Sequence, residues 1–128
     1  MPYYFTKNLQ CSFDEAITRV TEALATEGFG VLTDIDVKAT MKKKLDVDFR
    51  NYRILGACNP HYAHKAISAE DKIGTMLPCS VIVQQHDDGG IEVSAIDPIA
   101  SMQAVENESL MPIATEVQAK LKRVIESL

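Results

Sequence analysis

The chain has 128 residues, of which 46% are hydrophobic and 24% charged, the make-up of one ordinary domain with a core of its own. A formal net charge of −5 argues against nucleic-acid binding, which needs a basic face, and against adhesion to anionic lipid. Three cysteines are too few, and odd in number, for a secreted disulfide scaffold. The N-terminal run Met1 to Asn8 lacks the apolar stretch and cleavage site of a signal peptide. No apolar run approaches the roughly 18–20 residues that cross a bilayer. A cytoplasmic protein with free thiols, one domain over residues 1–128, is the expectation.

Tyr3-Tyr4-Phe5-Thr6 is aromatic and β-prone, which predicts a first strand at about residues 2–9. Ser12 and Glu15 form a capping box. Ala16, Ile17, Val20 and Leu24 then recur at helical spacing up to Gly28, a left-handed stop. Phe29 to Ile35 reads as a second strand with Phe29, Val31, Thr33 and Ile35 on one face. Asp36 caps a short helix with apolar positions Val37, Met41 and Leu45. Its Lys42-Lys43-Lys44 is a solvated face rather than a nucleic-acid patch, given the acidic total.

Tyr52 to Ala57 is a third strand. Asn59 as N-cap and Pro60 at the first helical position start a third helix through Ala63, Ala66 and Ile67, ending near Glu70. Ile73 to Pro78 is an apolar loop, and such a loop packs on the core or lines a pocket or interface. Ser80–Gln85 and Ile91–Ile96 flank His86-Asp87-Asp88-Gly89-Gly90, a hairpin turn in which glycine supplies positive φ. Asp97-Pro98 closes that strand. Leu110, Ile113, Val117, Leu121, Val124 and Leu128 mark a long amphipathic helix, with Pro112 tolerated in its first turn. The order β-α-β-α-β-α-β-β-α predicts an α+β two-layer sandwich, with helices on one face of a mostly antiparallel sheet. An open second face would offer Tyr3, Phe5 and Val83 as a homodimer surface.

No P-loop, dinucleotide fingerprint, nucleophile elbow or zincin motif is present. The chemistry-bearing residues gather between Cys58 and Cys79. Cys58 lies one residue before a helix cap, where free backbone N–H groups favour thiolate. Cys79 enters the next strand, so the two thiols could form a redox pair or supply a nucleophile. Against this, free cysteine is most often a small buried hydrophobe. Cys58, His61, His64 and Cys79 have a zinc-like donor set, but they lack two tight pairs, so no metal is expected. His86 reads as a solvated turn residue. Glu106 and Glu108 suit the start of the last helix. Met76, Met102 and Met111 read as gap-fillers rather than copper ligands, and Cys11 has no partner in view.

Tyr52-Arg53-Ile54-Leu55-Gly56-Ala57-Cys58-Asn59-Pro60 and Leu77-Pro78-Cys79-Ser80-Val81-Ile82-Val83 resemble the two signature segments of the domain-of-unknown-function 302 family. The likeness runs along nearly the whole chain, including Ile35-Asp36-Val37-Lys38 and Asp97-Pro98. The resemblance implies a compact α+β domain, often dimeric, with no established activity. It carries over Cys58 and Cys79, but not His61, His64 or Cys11. The leading expectation is a non-enzymatic module that binds or senses a small ligand, with no cofactor. Its pocket would be built by Cys58, Asn59 and Pro60 with Met76, Leu77, Pro78 and Cys79, where backbone donors at a helix start meet an apolar wall. Two alternatives stand beside it: a thiol-dependent redox or sulfur-handling protein using Cys58 and Cys79, and a structural homodimer.

Overall fold

In the computed structural model, which describes residues 2–128, five strands form one antiparallel sheet in the order β1-β5-β4-β3-β2. The elements are β1 (Tyr4–Leu9), α1 (Phe13–Thr26), β2 (Gly30–Asp36), α2 (Val37–Leu45), β3 (Tyr52–Cys58) and α3 (Pro60–Ala69). A 3-10 turn (Ile73–Met76) leads to β4 (Cys79–Gln85), β5 (Ile91–Ile96), α4 (Pro98–Ser101) and α5 (Leu110–Ser127). This is the expected α+β class, with two short added elements, the 3-10 turn in place of the expected apolar loop and α4. The short α4 has no apolar period of its own, and it forms because the Asp97 carboxylate accepts from Ile99 N–H at 3.0 Å ahead of Pro98 at the first helical position.

The chain turns where side chains satisfy free backbone groups. Ser12 accepts from Glu15 N–H at 3.1 Å, and Asp36 from Ala39 N–H at 3.0 Å, as N-caps do. At the end of α1, Gly28 has φ +85°. There Phe29 N–H bonds Leu24 C=O and Gly28 N–H bonds Ala25 C=O, the paired bonds of a Schellman stop. The β4–β5 turn is closed by His86 N–H on Gly90 C=O at 2.8 Å, with Gly89 at φ +89°. In α5, Pro112 sits in the first turn, where its missing N–H has no partner to lose.

The inner face of the sheet carries Leu55, Val81, Val83 and Val93, buried with Val20 and Leu24 of α1 and Leu121 and Val124 of α5. Two facing assignments from the sequence are corrected. Val83 is fully buried and Phe5 packs on the core, so neither belongs to an open surface. Tyr4, Tyr52, Ile82 and Ile96 line the opposite side instead. In β2 the register slips between Val31, opposite Ala57, and Thr33, opposite Gly56. A bulge of this kind inserts one unpaired residue, here Leu32, and reverses the alternation beyond it. Thr33 and Ile35 therefore do not share a face with Phe29 and Val31.

The two segments that carry the family resemblance lock together between β3 and β4. Ala57 lies directly opposite Cys79. A Cβ on Gly56 would stand 2.2 Å from Thr33 Oγ1 and 2.6 Å from Pro78 Cγ, so only glycine admits both neighbours.

Candidate functional site

At the end of the sheet where β3 finishes and β4 begins, α3 and the loop that follows it arch over the strands. Between them and the first turns of α5 lies a cavity of about 300 Å³. Five of the seven candidate binding residues line it: Cys58, Asn59, Leu77, Pro78 and Cys79. Pro60 and Met76 are exposed and lie outside the lining. Their neighbours along the chain point in while they point out.

Residues far away in sequence complete the wall. Phe29 follows α1, Pro98 begins α4 and Met102 follows it, and Ile113, Ala114 and Val117 come from one face of α5. Sequence reading missed these as site residues because their spacing marks only an apolar helix face, and nothing local says which cavity that face adjoins. No lining residue is charged.

Asn59 occupies the N-cap position of α3, yet its side chain makes no cap bond. Its amide instead donates to Glu27 C=O at the end of α1, at 3.1 Å, and it is only 8% exposed. It therefore ties the α1 stop to the start of α3 and holds one wall of the cavity. Glu27 binds outward as well: its carboxylate accepts from Arg123 Nη2 at 3.0 Å and pairs with Lys120 at 3.7 Å. The Arg123 hydrogen bond is the chief reason its pKa lies below the ordinary glutamate range.

Cys11, Cys58 and Cys79 are all free. Burial pushes the Cys79 thiol up to about 11, with a smaller contribution from the nearby Cys58. At neutral pH such a thiol is ionised in roughly one molecule in 10⁴, which suits a hydrophobe better than a nucleophile. His61 and His64 are exposed on α3 and do not line the cavity. Among the described residues, no group of three or more His, Cys, Asp or Glu side chains is placed to hold a metal ion. No helix among the described residues is long and apolar enough to cross a membrane.

Fold and site together define an α+β protein in which an uncharged cavity caps one end of an open antiparallel sheet. The chain belongs to the family described as Domain of unknown function DUF302, whose model matches residues 5–128. It is similar to a solved structure described as the crystal structure of an uncharacterized conserved DUF302 protein from Bacillus stearothermophilus. The two share 27% identity over 98% of each chain, with a TM-score of 0.90. No curated protein matches this chain.

Proposed function

We propose that this chain is a non-enzymatic binding or sensing module that takes an uncharged, apolar group into the cavity between α3, α5 and the end of the sheet. The observation that carries the reading is the lining: about 300 Å³ walled by residues from at least five elements without one charged side chain. That volume lies at the small end of the range typical of ligand pockets. A mostly apolar lining favours an apolar guest, because binding removes the apolar surface of both from water. The few polar atoms available are few enough to orient a guest without demanding a charge.

A thermal-shift panel of small neutral apolar compounds tests the reading, run beside Ala63→Phe, which places a ring in the cavity. The expected result is stabilisation of the wild type by several compounds and none in the variant. No stabilisation across the panel, or equal stabilisation in both proteins, contradicts it.

A second reading, association of two copies through the outer sheet face, is favoured by one observation. Tyr4, Tyr52, Ile82 and Ile96 sit together there around Ser80, Gln84 and Ser94. Sedimentation at micromolar and lower concentrations is expected to give a dimer that Ile82→Lys breaks. A monomer at every concentration refutes it.

A further inference from the structure

We infer that the guest of this cavity is a single flexible apolar chain, of the alkyl or acyl kind, longer than the cavity is deep. It enters between Leu32 and Ile67 and lays its remaining length across them. The inference rests on the ligand-binding reading above and adds the shape of the ligand and its route in.

Three observations locate the opening. Leu32 is the unpaired residue of the β2 bulge. It lines the cavity although it is 68% exposed. Bulges re-aim a side chain that regular pairing would direct elsewhere, and this one turns a leucine to the edge of the cavity. Ile67, on α3, also lines the cavity while 47% exposed. Gly74 completes the rim: it lines the cavity, and a Cβ added there would meet nothing within 4 Å. Where the deeper lining residues Ala57, Ala66 and Ala114 are almost fully buried, these three stand half in the cavity and half in water.

The composition of the rim then selects the ligand. A compact guest that fits wholly inside leaves two large aliphatic side chains bare at the mouth. A chain that continues outward covers them, so the apolar surface runs unbroken from the deep wall to the outside. The absence of charge along the lining requires the inserted portion to be uncharged and leaves any polar end in the solvent beyond Leu32.

Calorimetric titration with n-alkanols of increasing length separates these possibilities, comparing the wild type with Leu32→Ser and Ile67→Ser. Both positions are exposed, so the variants are expected to fold, and an unchanged melting temperature checks this. Each methylene buried is expected to raise affinity about fourfold, from the usual transfer free energy per methylene. The wild type is expected to keep gaining with length after both variants have levelled off, while short alkanols bind all three alike. If the wild type levels off at the same length as the variants, the extended-chain inference fails and the cavity reading survives. If no alkanol binds, the cavity reading fails and takes this inference with it.

Discussion

Asn59 and Cys79 stand in the two segments that mark the family, and physical chemistry gives them different tasks. Asn59 is a strut: its amide joins the last turn of α1 to the first of α3. Cys79 is part of the cavity wall, opposite Ala57. A thiol held near pKa 11 by burial reacts slowly with alkylating agents at neutral pH. The expected pH profile for Cys79 modification has its midpoint near 11, against about 8.5 for an ordinary thiol; following each cysteine by mass spectrometry checks it. A Cys79 midpoint at or below the ordinary value would restore the thiol-chemistry reading. Asn59-Pro60 is legible in sequence as a helix start because Asn and Pro prefer those positions wherever they occur. Its bond to Glu27 is not legible, since the two residues are 32 positions apart and no local rule connects them.

At the scale of elements, the strand pair β3–β4 shows the same division. Both strands, the hairpin to β5 and the amphipathic α5 follow from periodicity and turn residues. What the sequence hides is phase. Tyr3-Tyr4-Phe5 is aromatic throughout, so the first residues of β1 do not say which face is inward. The polar series Tyr4, Thr6, Asn8 against Phe5 and Leu9 carries that signal, as Ser80 and Gln84 do against Val81 and Val83. The bulge at Leu32 leaves no composition signature, because Val-Leu-Thr is equally compatible with regular alternation. Gly56 likewise shows its reason only in the folded chain, where Thr33 and Pro78 close on it. Gly56→Ala should destabilise the protein by about 1–3 kcal/mol, the usual cost of overpacking. Thr33→Ser should not relieve it, since the hydroxyl stays and Pro78 still obstructs. Chemical denaturation measures this, and a change below about 0.5 kcal/mol, within the spread of ordinary surface substitutions, would mean that the strands part easily.

For the whole molecule, the cavity exists because helices from distant parts of the chain are clamped over one end of the sheet. Glu27 is one clamp, joining the end of α1 to Arg123 and Lys120 on α5. Asp34 pairs with Arg53 between the neighbouring strands β2 and β3. Both carboxylates titrate below their ordinary range, chiefly through the arginine hydrogen bond each accepts. A carboxylate with a depressed folded pKa adds stability that is present above the unfolded value, about 4, and is lost as pH falls through the folded one. The melting temperature should therefore drop below about pH 4. Glu27→Gln should drop less steeply there, and an identical slope in the two proteins would remove Glu27 from this role.

The central claim, that the space between α3, α5 and the sheet end receives an apolar molecule, is tested most directly by amide chemical-shift mapping during titration with a short n-alkanol. Saturable shifts confined to the lining, at Phe29, Cys58, Ala63, Leu77 and Val117, are the expected result. Shifts centred instead on Tyr4, Tyr52 and Ile82 of the outer sheet face, or none that saturate, would contradict it.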